Sequence, residues 1–231
     1  MSVTDRTNVS LARTTSGGLL AASLLAYVAS VVAAPIDSVQ GPIQKILYLH
    51  VPCAFAAYLG FAVTAIAGAL YLWRNDVRLD RAAAAAAEVG VVFCSLVLLT
   101  GPIWARGTWG RWWSWDPRLT VTLLLWFIYL AYLLLRGFTE GSERAARFAA
   151  VYGIAGLLAV PLNYFAIQLF GGRAIHPENL ARGSLGTGMG LPFVLGVSTA
   201  LLAFLHLWLR RLELAGLEAE AAAAAQGAGE L

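Results

Sequence analysis

The chain has 231 residues, of which 59% are hydrophobic and 13% charged, and its formal net charge is +3. Soluble domains carry about 25% charged residues, so this composition, with a mean hydropathy of +0.71, argues against a water-soluble globule and for a polytopic membrane protein. The charge is modest and contains no long basic cluster, which excludes a nucleic-acid partner.

A spanning helix needs ~20 mostly apolar residues, and six such runs follow one another: 17–34, 47–73, 82–104, 120–136, 145–170 and 191–209. The first could be mistaken for a signal peptide, but it is one of several similar runs and reads as a membrane anchor. Strand-type alternation is absent, which argues against a β-barrel. The expected fold is an all-α integral membrane protein with six transmembrane helices and a tryptophan-rich external loop. Residues 1–211 form the membrane domain, and residues 212–231 form a cytoplasmic Ala/Glu-rich tail, either a frayed helix or disordered. Cys53 and Cys94 both lie in apolar runs and form no CxxC or CxxCH pattern; a disulfide between them has no support, and buried thiols behave as small hydrophobes. Small residues at 82–87 favour close helix packing. Glu88, about a turn inside the third run, either snorkels or faces the bundle.

Six spans put both termini on one side, and the positive-inside rule selects which. Ten basic residues flank the inner ends: Arg6, Arg13, Arg74, Arg78, Arg81, Arg136, Arg144, Arg147, Arg210 and Arg211. Six lie opposite: Lys45, Arg106, Arg111, Arg118, Arg173 and Arg182. Both termini are therefore expected in the cytoplasm. Three of the outer six lie in or beside the segment WGRWWSWDPRLT (residues 109–120), an odd place for them unless they have a chemical task.

Three histidines punctuate these elements. His50, in YLHVPCAF, stands near the outer start of span two, with Pro52 in the first turn. The helix dipole disfavours imidazolium there, and neutral imidazole is the form that binds metal. His176, in GGRAIHPENL, lies in the outer loop between spans five and six. Pro177 biases it to extended backbone, and Gly171 and Gly172 fit the end of span five. His206 sits near the inner face and reads as an ordinary interfacial residue. Taken singly, so do the other two; together on one face they ask for a shared ligand.

Four tryptophans fall within residues 109–115, half of the chain's eight. An aromatic belt explains Trp73, Trp126 and Trp208, but a belt does not need interleaved Arg and Gly. If the segment were helical, Trp109, Trp112, Trp113 and Asp116 would share a face, with Trp115 beside them. Asp116 before Pro117 also reads as a helix N-cap opening span four. Two imidazoles, an indole shelf and guanidiniums suit zinc poorly, because no further ligand lies at metal spacing. Haem suits them better: its iron takes two axial imidazoles, its face stacks on indoles, and its propionates pair with Arg.

GPIWARGTWGRWWSWDPRLT (residues 101–120) resembles the WWD signature of haem-handling proteins, and LYLHVP (residues 47–52) resembles the segment around their first histidine. With six spans and this length, the chain is similar to the CcmC family, cytochrome c maturation protein C or haem exporter protein C. That resemblance implies His50 and His176 as axial ligands of a non-covalently held haem b. It implies Trp109, Trp112, Trp113, Trp115, Asp116 and Arg118 as the haem platform, with Trp104 at a further signature position. It implies a bacterial inner-membrane protein that holds haem on the periplasmic face and presents it to a haem chaperone, which captures it through a vinyl group. The implied partners are ATP-binding-cassette subunits, whose ATP hydrolysis releases the loaded chaperone, and a small single-span subunit. The stretch before His176 departs from the family: Leu169-Phe170-Gly171-Gly172-Arg173 stands where aromatic residues are common, and Arg173 is a candidate to reach a propionate instead.

These features point to a haem-handling and transfer protein rather than a conventional enzyme. A haem lyase of the same superfamily, of CcsA or CcmF type, is generally longer and richer in histidine. A b-type membrane cytochrome needs a second histidine pair, which His206 alone cannot supply. A small transporter would show a polar midplane path; Pro161, Asn163 and Gln168 are the hints of one, and a kinked helix with interhelical hydrogen bonds explains them equally well.

Overall fold

The computed structural model describes residues 3–138, 142–170, 175–177 and 185–228. The described chain is helical: α1 (Val3–Ala33), a 3-10 turn (Pro42–Ile46), α2 (Leu47–Arg74), α3 (Val77–Trp109), α4 (Pro117–Phe138), α5 (Glu143–Leu157), α6 (Ala159–Tyr164), α7 (Ala166–Phe170) and α8 (Gly190–Ala228). Among the described residues, six stretches are long and apolar enough to cross a membrane. The protein is an all-α integral membrane protein.

The centre is the α2–α3 hairpin. Asn75 ends α2 in the left-handed region (φ 53°), and Asp76 opens α3 by accepting a hydrogen bond from the Arg78 amide. Between apolar helices in lipid the hydrophobic effect gives little, so association depends on close backbone approach. Gly60 and Gly90 supply it: a Cβ on Gly60 would lie 2.8 Å from the Gly90 Cα. Ala56, Ala57, Ala86 and Ala87 are buried around this crossing. Phe61 stacks on Tyr129 of α4, with ring centroids 3.8 Å apart and planes 13° apart. Helix α1 rides on α8 through a Ser23–Thr199 hydroxyl pair at 2.6 Å. Its other face stays open, with Leu25 and Val32 each 75% exposed, as suits a lipid-facing helix.

The arginine-rich end is closed by ion pairs. Arg136 clasps Asp80 at 2.6 and 2.8 Å, and Arg211 of α8 meets Glu88 of α3 at 2.5 Å. Glu88 thus faces the bundle rather than snorkelling. At the same end His206 Nδ1 lies 3.0 Å from Ser16 Oγ. Both cysteines are free and buried.

Three elements differ from the sequence expectation. Helix α3 runs past both expected ends and carries Trp104 and Trp109 on its last turns. It stops at Gly110 (φ 72°), a backbone state that a Cβ would oppose, and residues 111–116 are not helical. The helical face shared by Trp109, Trp112, Trp113 and Asp116 therefore does not form. The fifth span breaks at Leu158 and Phe165 into α5, α6 and α7; the first break lies one turn before Pro161, which lacks the amide proton for the Leu157 carbonyl and crowds the preceding turn. Finally, α8 continues without interruption to Ala228, so the described part of the Ala/Glu-rich tail is helix.

Candidate functional site

His50 sits in the first turns of α2. Its Nδ1 lies 2.9 Å from Thr100 Oγ1 on α3. The Thr100 hydroxyl spends its single proton on the Leu96 carbonyl at 2.7 Å. It must therefore accept from His50, which makes Nδ1–H the donor and leaves Nε2 as the lone-pair nitrogen. Gly101 makes room: a Cβ there would stand 3.1 Å from His50 Cε1. Trp104 meets the imidazole edge-on, with centroids 5.8 Å apart, and its indole N–H is held by Gln40 Oε1 at 2.8 Å.

His176 arrives from a segment without regular structure and is held from outside it. Asp116, 2% exposed, accepts from the Ile175 amide at 2.6 Å and the His176 amide at 3.1 Å through Oδ2. Its Oδ1 caps α4 by accepting from the Arg118 amide at 2.9 Å. One carboxylate thus joins the opening of span four to the histidine loop. The His176 ring donates Nδ1–H to the Pro177 carbonyl at 2.8 Å, so here too Nε2 keeps its lone pair. Burial holds the imidazole below its ordinary value of 6.5; the hydrogen bond to the Pro177 carbonyl opposes, Arg118 pushes the same way as burial, and Asp116 opposes. The neutral ring is favoured. Trp109 touches it edge-on at 6.2 Å.

An open cavity of about 550 Å³ brings together His50, His176, Trp104, Trp109, Trp113 and Arg118. It runs inward along α2 from His50 to Tyr58, eight residues or ~12 Å of helix, and ends among Thr122, Leu125, Asn163 and Cys94. Trp112 and Trp115 are not part of its lining; they stand 59% and 76% exposed, with Trp115 edge-on to Trp113 at 5.8 Å. Asp116 lies behind the lining as the clamp just described. Arg106 folds back on the Gly110 carbonyl and closes the end of α3, while Lys45 binds the Val31 carbonyl at 2.8 Å at the end of α1. Gly171, Gly172, Arg173 and Arg182 lie outside the described residues.

Chemically, the site offers two neutral imidazole nitrogens, indole faces and one guanidinium around a space within the usual ~300–1,000 Å³ of small-molecule sites. Among the described residues, no group of three or more His, Cys, Asp and Glu could hold a bare metal ion. Trp113 carries a buried Nε1–H without a partner. Sequence reasoning missed Thr100 and Gly101 as the seat of His50, and the cluster of Tyr58, Thr122 and Asn163. The signal for the first was a Thr-Gly-Pro interruption in an apolar run; Asn163 and Pro161 were noticed but not connected to the histidines.

Comparison with known proteins identifies the family. A profile of the family described as "Heme exporter protein C" matches residues 3–226. Proteins of that name are similar to the chain: one from Bradyrhizobium diazoefficiens is 34% identical over 172 residues, 74% of this chain and 64% of its own length. One from Paracoccus denitrificans is 37% identical over 142 residues, 62% of this chain and 58% of its own. A ccmC-like mitochondrial protein of cytochrome c biosynthesis from Marchantia polymorpha is 29% identical over 184 residues, 79% of this chain and 76% of its own. The chain spans somewhat under two thirds of the length of the two bacterial relatives. With the match running through all six spans and the tryptophan segment, the chain belongs to the heme exporter protein C family.

Proposed function

We propose that the chain binds haem b non-covalently in this cavity, with His50 and His176 as axial ligands, and hands it on as cargo during cytochrome c maturation. The observation that carries the reading is the common state of the two histidines. Both commit Nδ1–H to a protein oxygen and keep the Nε2 lone pair, and both line one cavity. Haem supplies an iron that takes an imidazole from each face. The chain's part is to hold the rings neutral, keep their tautomers, and offer indole faces at Trp104, Trp109 and Trp113. Arg118 is the cation in the lining for a propionate.

The excess of basic residues at the end opposite the tryptophans supports a periplasmic cavity, an inner-membrane location and cytoplasmic termini. The exposed indoles of Trp112 and Trp115, beside Trp113, suit the surface shown to a haem chaperone. The word exporter in the family's name supports ATP-binding-cassette subunits as partners, and we infer a small single-span subunit beside them. The test is a visible spectrum of the detergent-purified protein expressed with haem supply. A low-spin bis-histidine spectrum, lost in both His50→Ala and His176→Ala, is the expected result; an unchanged spectrum in either variant sinks the ligand assignment.

A further inference from the structure

The inner half of the cavity holds a set of polar groups that the ligand assignment does not use. Asn163 of α6 is 1% exposed and every hydrogen-bonding direction of its amide but one is occupied. Its Oδ1 accepts from the Tyr58 hydroxyl of α2. Its Nδ2 donates to Thr122 Oγ1 at 2.8 Å and to the Arg118 carbonyl at 3.1 Å, both on α4. Thr122 in turn donates to the same carbonyl at 2.7 Å. Arg118 answers in the other direction: its Nη2 donates to the Tyr164 carbonyl at 2.7 Å.

This reciprocal clasp follows from the broken fifth span. Helix α6 ends at Tyr164, and the carbonyls of a helix's last turn accept from donors outside it. Tyr164 O finds the Arg118 guanidinium. A buried amide inside a membrane span must likewise be satisfied by neighbours. Asn163 meets that need by crossing to α2 and α4 at once, which fixes the first turn of α4 against two other walls. Arg118, Asn163, Tyr58, Thr122 and Tyr164 all line the same cavity.

We propose that Asn163 is a positioning residue that sets the Arg118 guanidinium for the carboxylate end of the cargo, and so decides which edge of the porphyrin points outward. The inference rests on the reading that the cavity holds haem. Asn163 itself does not touch a carboxylate; both amide protons are already committed. It acts by fixing the backbone from which Arg118 projects and the α6 carbonyl to which Arg118 is tied.

The test uses the full chain in detergent with two probes, haemin and haemin dimethyl ester, which keeps the porphyrin and iron but lacks the carboxylates. The wild-type protein is expected to prefer haemin by about tenfold or more, the worth of one charge-assisted contact. In Asn163→Leu that preference is expected to fall toward one. Equal weakening of both probes, with the preference kept, makes Asn163 a purely structural residue and overturns the proposal. Should Asn163→Leu fail to fold, Thr122→Val removes one of its two acceptors and is read in the same way: a reduced preference supports the proposal and an unaltered one overturns it. A wild-type protein indifferent to esterification overturns it as well. The low-spin spectrum reports separately on the two histidines, so that failure is distinct from failure of the haem reading.

Discussion

The two histidines reach the cavity by different means. His50 is carried by a long helix whose hydrogen bonds lie within α2, and one contact across to α3, the Thr100 hydroxyl, sets its tautomer. His176 comes from an irregular segment whose placement is borrowed from Asp116, a residue 60 positions away in sequence. One arm is fixed by its own secondary structure, the other by a distant carboxylate. A helix holds a side chain through cooperative local bonds; a loop in the same place needs a specific tertiary anchor. The arms should therefore fail separately.

The largest effect is expected at the borrowed arm. Asp116→Ala strips an anionic acceptor from two amides of the histidine segment and one at the start of α4. Hydrogen bonds to charged groups are worth ~1.5–3 kcal/mol each, so ligation by His176 should weaken by roughly 100-fold or more. The His50 side should survive. The measurable outcome is a five-coordinate, high-spin haem spectrum that returns to low spin when free imidazole is added. A variant that stays low spin without imidazole would show that the loop holds itself.

The helical arm should break only where its seat is filled. In Gly101→Val the new Cβ would stand 3.1 Å from His50 Cε1, and the branch methyls crowd the ring further. The ring must turn away, its Nε2 leaves the cavity, and the low-spin spectrum should be lost while His176 still binds. Resonance Raman of the iron–imidazole stretch in this variant and in Asp116→Ala would identify which histidine remains in each. Thr100→Val is milder. It leaves the ring in place and removes the acceptor for Nδ1–H, the kind of supporting contact typically worth about 10–100-fold in metal affinity. A haem titration showing no loss would mean that Thr100 does not fix the tautomer.

This contrast also governs what could be read from the sequence. The spans were legible because hydropathy over ~20 residues is a local property. The place of His50 in the first turns of α2 was legible because Pro52 and the start of an apolar run mark that helix end. The Asp116–His176 clamp was not, because a carboxylate that caps its own helix gives no sign of a second partner; only its N-cap role could be read from the Asp-Pro pair. The tryptophan segment was expected as an external loop, with a shared helical face only if it were helical, and Gly110 rules that face out by ending α3. Asn163 was read as one member of a kinked helix, and its role emerged only once the break at Pro161 brought α6 against the first turn of α4.

The smallest effect separates the arms by proton rather than by mutation of a ligand. Iron takes the neutral imidazole, so each histidine ligates only above its own titration. Burial, reinforced by Arg118, holds His176 below 6.5. As pH falls from 8 through 6.5 the ring therefore stays neutral, and haem affinity should stay level where an exposed histidine would already be losing it. Below the depressed value, affinity should fall by about tenfold per pH unit as the proton competes with iron. Arg118→Gln removes a neighbouring positive charge that disfavours imidazolium, so the same fall should begin at higher pH than in the wild-type protein. Spectral titration of haem binding between pH 8 and 5 checks both the level region and the direction of that displacement. A midpoint that does not move in Arg118→Gln would mean that the guanidinium does not act on His176, and that burial keeps the loop histidine ready for iron.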